Sequence, residues 1–496
     1  MYARTITLLL LLIVACRCAA QVRPADGSKL NYRLIGFTFP ATSETGSYEV
    51  QIAAGTIDKT RDFEKSIIKT YQSGEAKLIA EVPWFGRQYT WRAVYKSDGH
   101  KDHYSELHYF STDSIPETDT NKVRLRIIKP AVKYADGYVF VEDRILYDMN
   151  GHPIWFLPDI EGLMKKDYIL RDIKLSPRGT ITFLLNEKIY EIDYDGHILW
   201  KGPDNGAVGG DTTEHYHHEF TRLANGHYMV LGKEIPYARR AANEKNGTDK
   251  HDAFYDKSDM GTIIEYDEKG RVVWSWKSSG YFNGSDVSNF TMPRSMAVFD
   301  AHENSFFFDK KDSIIYLSFR HISRILKLKY PEGKVLNTYG EIYEKGIPQT
   351  GNGTFCGQHS TRLSDNGYLY MYNNGCDPNT PPKVTRLREP APGKDSVTAI
   401  WEYTCDLDGL SVIGHRVFWV VIGGNVVELP DRSMFVCMGS DYGKLFIVGE
   451  DKQLLWSSVP EKWSPERRQW EVISQYRGGI ISDSKQMDAL VWGNGK

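Results

Sequence analysis

Short apolar strands and polar turns alternate along almost the whole chain. From residue 122 onward one unit recurs: an apolar strand, a turn containing Asp or Gly, and a second apolar strand that often ends in Trp. Its six copies end at Trp155, Trp200, Trp276, Leu336, Trp401 and Trp456. A hairpin repeated in this way is typical of a β-propeller. Six copies predict six blades, with the Trp residues packed between neighbouring sheets.

A second set of hairpins lies between these units. Three of them begin with histidine: HHEFTRLANGHYMVLG from His217, AHENSFFFDKKDSIIYLSFRH from Ala301 and QHSTRLSDNGYLYMYNNG from Gln358. Two others are IKLSPRGTITFLL and NVVELPDRSMFVCMG. We predict that these are inner hairpins of the blades, and that residues 470–492 close the ring against the start of the propeller.

Residues 22–115 predict a separate small β-sandwich of the immunoglobulin or fibronectin kind. TGSYEVQIA and YTWRAVYKSDG alternate apolar and polar residues, and ELHYFST completes the set. Tyr48, Trp91 and Tyr109 are the predicted core aromatics. The fold class is therefore all-β, a sandwich followed by a six-bladed propeller over residues 122–496.

Composition limits the function classes. The 496 residues carry a formal charge of −3 with no run of like charge, which argues against nucleic acid as a partner. Residues 1–20 combine Arg4, an apolar run and small residues, which predicts a signal peptide. Cleavage after Ala20 and lipidation of Cys16 at a lipobox are the two alternatives. Both predict an exported protein, either periplasmic or a membrane-anchored lipoprotein.

Four cysteines follow the signal region: Cys356, Cys376, Cys405 and Cys437. None has the CxxC spacing of a zinc site. Cys356 and Cys376 flank the third histidine hairpin, so both are expected at its open end. In an oxidising compartment this placement favours a disulfide, with two free thiols as the alternative.

The histidine hairpins predict a cluster of imidazoles at one end of the channel, because the innermost strand of each blade lines it. His218, His302 and His359 would converge there. Asn304 lies two residues after His302 and shares its face, and Arg320 returns to the same end. Since strand neighbours alternate faces, only one of His217 and His218 is expected to point inward, and we favour His218.

These side chains form a cationic, donor-rich set without an acidic residue. Such a set suits a tetrahedral oxyanion, sulfuryl or phosphoryl. The Arg320 guanidinium offers two parallel donors, and imidazole and amide groups can neutralise the remaining oxygens in the transition state. One neutral imidazole could attack and carry the group covalently, which gives ping-pong kinetics.

The motifs between residues 211 and 380 resemble those of the bacterial PAPS-independent arylsulfate sulfotransferases: HHE before LANG, H-x-N before SFR, and QH before NG and NNG. The resemblance implies an exported sandwich-and-propeller enzyme that transfers a sulfuryl group from an aryl sulfate donor to a phenolic acceptor. It implies no nucleotide, cofactor or metal. His359 would be transiently sulfated. The groups implied to hold the sulfuryl oxygens are His218, His302, Asn304 and Arg320.

Some positions depart from the pattern of that family. Asn425 stands where the family has a hydroxyl residue facing the sulfuryl group. Asn373 and Asn374 stand where it often has an acidic residue, which would alter acceptor preference. Cys356 and Cys376 resemble the family's cysteine pair in placement. Members include homodimers, although no stretch of this sequence marks an interface.

Two other functions fit the residues. Three histidines with an open position form a common catalytic zinc set, which would make the protein a hydrolase or lyase. Alternatively, the propeller binds sulfated ligands without catalysis.

Overall fold

A computed structural model describes residues 22–42, 46–97, 101–115, 122–164, 168–234, 237–240, 254–282, 299–340, 354–375, 380–390, 397–406 and 422–493. The predicted signal peptide and Cys16 lie outside these residues. The chain divides into two compact units, Met1–Ser114 and Ile115–Lys496. Within the described ranges, no helix has the length and apolar character needed to cross a membrane.

The described residues of the first unit form eight strands and one helix. These are β1 (Ser28–Leu30), β2 (Leu34–Thr38), β3 (Gly46–Ala54), α1 (Thr60–Lys65), β4 (Ile67–Ser73), β5 (Lys77–Glu81), β6 (Gln88–Ser97), β7 (His103–Tyr104) and β8 (His108–Thr112). A six-stranded sheet runs β1-β8-β6-β3-β4 with β7 on β6, and β2 pairs with β5 in a second sheet.

Aromatic rings from both sheets meet in the core of this unit. The rings of Phe37 on β2 and Trp91 on β6 lie 4.9 Å apart. Tyr48 and Trp91 are buried as predicted, but the prediction for Tyr109 was wrong by one residue: Phe110 is buried, and Tyr109 is only half-buried. Tyr109 pairs with Thr90, so it lies on the opposite face of the sheet from Trp91.

In its described residues, the second unit holds the remaining strands, one short 3₁₀ helix (Ser278–Gly280) and a terminal helix. The strands before residue 300 are β9 (Val123–Lys129), β10 (Tyr138–Val141), β11 (Ile145–Asp148), β12 (Pro153–Phe156), β13 (Leu170–Leu175), β14 (Ile181–Leu185), β15 (Lys188–Ile192), β16 (Ile198–Lys201), β17 (Tyr216–Arg222), β18 (Tyr228–Glu234), β19 (Tyr237–Arg240), β20 (Phe254–Tyr266), β21 (Val272–Lys277) and β22 (Phe299–Asp300). Those after it are β23 (Glu303–Asp309), β24 (Ile314–Phe319), β25 (Arg324–Lys329), β26 (Lys334–Gly340), β27 (His359–Leu363), β28 (Leu369–Asn373), β29 (Lys383–Arg388), β30 (Thr398–Thr404), β31 (Asn425–Glu428), β32 (Met434–Cys437), β33 (Leu445–Val448), β34 (Leu454–Ser464), β35 (Gln469–Val472), β36 (Gly479–Ile481) and the helix α2 (Ser484–Trp492).

These strands form successive sheets of four or more strands, an arrangement consistent with a propeller. In the described residues they are β36-β10-β11-β12, β13 to β16, β17-β18-β20-β21 with β19 and β22, β23 to β26, β27 to β30, and β31 to β35 with β9. β36 pairs antiparallel with β10, so the segment predicted to close the ring does reach the first sheet.

Tryptophans join several of the sheets to the next one. The Nε1 atom of Trp155 donates to Tyr194 O (2.8 Å), and that of Trp456 donates to Met149 O (3.0 Å), which links the last sheet back to the first. The weakest copy of the repeat behaves differently. Leu336 is 47% exposed rather than packed, and Tyr339 is buried near the end of the same strand.

Polar side chains near the axis form a second set of links between sheets, each accepting a hydrogen bond from a backbone N–H of the following sheet. The pairs are Glu142 with Asp172 N, Asp172 with Phe220 N, Glu219 with Phe306 N, Ser305 with Thr361 N, Ser360 with Val426 N, and Asn425 with Gly478 N. Four innermost strands, β13, β17, β23 and β27, shift register here. Such bulges interrupt the simple alternation of side chains.

Candidate functional site

Three imidazoles form a row at the start of β17 and β23. His302 Nε2 lies 3.2 Å from His218 Nε2, His218 Nδ1 lies 2.7 Å from His217 Nδ1, and His217 Nε2 lies 2.9 Å from Gly232 O. Because the carbonyl can only accept, His217 Nε2 donates to it. If all three rings are neutral, His218 Nδ1 then donates to His217 Nδ1, and His302 Nε2 donates to His218 Nε2.

The expectation that only one of His217 and His218 faces the site was wrong. His218 has a φ of 57°, and the register of β17 shifts between His217 and Phe220. This bulge brings consecutive side chains together, so both rings belong to the row. His302 has a φ of 59°, and the register of β23 shifts just after it, between Glu303 and Ser305.

His359 lies apart from the row and is fully buried. Its Nδ1 is 2.7 Å from Asn374 Oδ1 and 3.1 Å from Gly357 O. Both oxygens accept, so Nδ1 carries the ring proton. The lone pair is consequently on Nε2, where the Gly423 N–H lies 3.2 Å away.

Two glycines place that N–H. Gly423 and Gly424 have φ values of 73° and 96°, in the left-handed region that favours glycine. A Cβ on Gly424 would lie 2.3 Å from the Tyr372 ring, and one on Gly423 would lie 2.9 Å from Tyr476. No larger residue fits here without displacing the backbone.

Arg320 follows β24 and is buried beside the histidines. Its backbone N–H donates to His302 O at 2.9 Å. Its Nη1 lies 3.0 Å from His321 Nε2, and the His321 ring is 4.4 Å from that of His302. The structure thus adds His321, which the sequence does not distinguish from a packing residue, to the edge of the site.

Burial and positive charge keep two imidazoles neutral. Burial lowers the pKa of His359 well below its usual value, and Arg320, His302 and Arg477 lower it further. The pKa of His218 is also well below its usual value, first through burial and then through His217 and His302. A buried neutral imidazole keeps a lone pair available at neutral pH.

The two predicted asparagines bond to backbone. Asn304 Nδ2 donates to Gln358 O at 2.7 Å, directly before His359. The Asn425 amide pairs with Gly478 through both of its ends, at 2.8 and 2.9 Å. Both amide NH₂ groups therefore hold strands in place.

An arginine–acid cluster that sequence reasoning missed lies under the histidines. Arg477 is 2% exposed, with Nη1 3.1 Å from Asp172 Oδ1 and 3.3 Å from Glu219 Oε2. Its Nη2 donates to Asn304 O at 2.7 Å. Burial alone would raise the pKa of Glu219, but Arg362, Arg477 and Lys174 hold it at about 2. Buried acidic residues that the sequence analysis did not anticipate therefore lie next to the predicted cationic set.

Tyr476 is the other residue that was missed. Its ring centroid lies 5.4 Å from that of His218 and 6.0 Å from that of His359. Burial raises the pKa of the phenol to about 12, and its hydroxyl has no hydrogen-bond partner among the described residues. The sequence feature that could have drawn attention to Tyr476 is its position in the closing segment, two residues before Gly478 and Gly479.

A cavity of about 670 Å³ lies at the opposite ends of the innermost strands. Its lining includes Asp172, Glu219 and Arg477 but no histidine. The arginine–acid cluster thus borders this cavity on one side and the histidines on the other. The candidate site is the histidine cluster, because the lining of this cavity contains no imidazole.

Potential metal ligands gather elsewhere. In the described part of the chain, the group of three with ligand atoms within 4.8 Å of one another is Asp193, Asp195 and His197, on a turn between β15 and β16. Cys405 and Cys437 are free, buried thiols. Cys376 lies outside the described residues, so its pairing with Cys356 stays a prediction.

Comparison with known proteins gives one family match. The model of the family described as arylsulfotransferase (ASST) matches residues 136–409. No curated protein matches the chain.

Two solved structures have a distant likeness to this chain. A Bacteroides caccae protein of unknown function has 13% identity and a TM-score of 0.39, covering 73% of this chain and 99% of its own. Apo AztD from Citrobacter koseri has 7% identity and a TM-score of 0.31, covering 88% and 98%. Similarity at this level carries no functional information.

Proposed function

Because this chain belongs to the arylsulfotransferase family, as its histidine motifs predict, we propose that it transfers sulfuryl groups from aryl sulfate esters to phenols through a sulfated His359. Family membership supports aryl sulfotransferase activity in general. The observation that supports His359 as the carrier is its ring: buried, neutral, with its proton on Nδ1 and its lone pair on Nε2.

In the first half-reaction, His359 Nε2 attacks the sulfur of the donor. The bond between sulfur and the aryl oxygen breaks, its electron pair leaves with the phenolate, and the ring becomes an N-sulfoimidazolium. The Arg320 guanidinium can neutralise the sulfuryl oxygens in the transition state. The Gly423 N–H must give up the Nε2 lone pair, and it is then free to bond a sulfuryl oxygen.

In the second half-reaction, the oxygen of an acceptor phenol attacks the same sulfur. The S–N bond breaks and its electron pair returns to His359 Nε2. The phenol must lose its proton as it attacks. The row of His302, His218 and His217 is suited to accept this proton, because each ring is in hydrogen-bond contact with the next.

Finer features of the protein belong to the same proposal. The successive sheets make a six-bladed propeller, and the first unit is a sandwich domain. The protein is exported, and Cys356 pairs with Cys376. Asn304 and Asn425 support the site by holding strands, as their backbone contacts indicate.

The test is intact-protein mass spectrometry after incubation with 4-nitrophenyl sulfate and no acceptor. We expect wild type to release nitrophenol and gain one sulfuryl group, and His359→Asn to do neither. His227→Asn is the matched control, since His227 bonds Glu265 at a turn distant from the site. Adduct on His359→Asn, or turnover without an adduct in wild type, would overturn the mechanism.

The same samples test the two other functions. Stoichiometric zinc, with activity lost on chelation, would identify a metal-dependent hydrolase or lyase. Binding of the aryl sulfate without release of nitrophenol would identify a binding propeller.

A further inference from the structure

The proton on His359 Nδ1 faces two neutral oxygens. Asn374 Oδ1 is 2.7 Å away and Gly357 O is 3.1 Å away. Asn374 is 3% exposed, and its Nδ2 donates to Gly423 O at 2.9 Å. This second bond fixes which end of the amide meets the imidazole. Neither oxygen is a base that can remove the ring proton at neutral pH.

The other charged and titratable groups around the ring are cationic or neutral. His302 and Arg320 approach from β23 and the end of β24, and Tyr476 and Arg477 come from the closing segment. No carboxylate among the described residues is in hydrogen-bond contact with the imidazole. Two buried acids of the neighbouring cluster, Asp172 and Glu219, are paired with Arg477.

The proton on Nδ1 determines the charge of the imidazole when the S–N bond breaks. With Nδ1 protonated, attack by the acceptor oxygen breaks the S–N bond and returns the electron pair to Nε2, which gives a neutral imidazole. Without that proton, the same step would expel an imidazolate anion. An imidazolate is a much stronger base and therefore a much poorer leaving group.

We propose that Asn374 is a positioning residue that keeps the proton on His359 Nδ1 throughout the transfer cycle, so that the sulfurylated ring remains a good leaving group. The inference rests on the proposed sulfo-histidine function and deepens it. A carboxylate here would take the proton once the ring became cationic, leaving a neutral sulfoimidazole that reacts slowly. The amide thus favours rapid discharge to the acceptor over a long-lived covalent enzyme.

The test compares Asn374→Asp with wild type in single turnover. Enzyme is sulfated with 4-nitrophenyl sulfate, freed of donor, and mixed with phenol while the adduct is followed by intact mass. We expect Asn374→Asp to form the adduct and to discharge it at least about tenfold more slowly. Its discharge should quicken as pH falls and the new carboxyl becomes protonated, whereas that of wild type should not.

Asn373→Asp is the matched control. Asn373 lies on the same turn and is 8% exposed, but its Oδ1 accepts from Cys356 N and Gly375 N rather than from His359. Discharge at the wild-type rate in Asn374→Asp, equal slowing in both variants, or slowing without acid rescue would each overturn the inference. If wild type forms no adduct, the proposed function itself has failed.

Wild type provides a second measurement that does not depend on the folding of a variant. In ¹⁵N-histidine-labelled sulfo-enzyme, the His359 Nδ1 signal should retain its one-bond coupling to a proton at neutral pH. Loss of that coupling on sulfation would overturn the inference.

Discussion

His359 and the row of His302, His218 and His217 are two contrasting uses of one side chain. Among the described residues, the hydrogen-bond partners of the His359 nitrogens are the Asn374 side chain, the Gly357 carbonyl and the Gly423 N–H. None of these partners is another imidazole. Each ring of the row contacts another ring. A ring between neutral fixed partners keeps its proton, which suits a nucleophile. A row of linked rings can pass protons along, which suits acid–base work.

Arg320 is the residue that the two regions share, so its substitution should have the largest effect. Its backbone N–H donates to His302 O, and its guanidinium charge contributes to the low pKa of His359. Arg320→Lys keeps the charge but loses the planar fork, and we expect a loss of about a hundredfold in both half-reactions. Stopped-flow release of nitrophenol and discharge to phenol measure the two steps separately. A loss confined to one step would show that Arg320 serves one region only.

His217→Phe should separate the two regions with a smaller effect. It removes the ring that accepts from His218, without touching His359. We expect discharge to phenol to slow by about tenfold while sulfation of the enzyme stays close to wild type. Equal slowing of both steps would mean that the row only supports the shape of the site. Thermal unfolding of the variant is the control for stability.

The smallest expected effect is a pH profile that stays flat in the mildly acidic range. The pKa of His359 is lowered, so the neutral ring persists below the ordinary histidine pKa of about 6.5 and is lost only at lower pH. The rate of nitrophenol release in the absence of acceptor should therefore hold from about pH 8 to about pH 6. A midpoint near the ordinary value would show that burial and Arg320 do not control this ring.

Local patterns predicted the parts of the site that depend on strand order. The positions of the histidines at the starts of inner strands and the closing role of residues 470–492 follow from repeats that can be read along the chain. The bulge at His218 cannot be predicted from these repeats. The positive φ of His218 turns its side chain to the same side as that of His217, whereas strand alternation predicts opposite sides. The prediction that Tyr109 is buried in the core was wrong for a related reason. The register of β8 against β6 decides which face Tyr109 lies on, and this pairing joins residues far apart in the sequence.

Side chains that bond across sheets were beyond such patterns. The Asn425 amide is occupied by Gly478, a partner 53 residues further along the chain. Arg477 meets Asp172 over a separation of 305 residues. Neither pairing produces a periodic pattern in the sequence, and both depend on how the closing segment meets the other sheets.

Closure by the C-terminal strand sets the order in which the site can be built. Tyr476 and Arg477 precede β36, and Gln475 Oε1 accepts from Glu142 N at 2.8 Å. A growing chain that lacks these residues has its histidines without Tyr476 and without the arginine–acid cluster. The set of side chains around the histidines is therefore complete only once the last strand has paired with the first sheet.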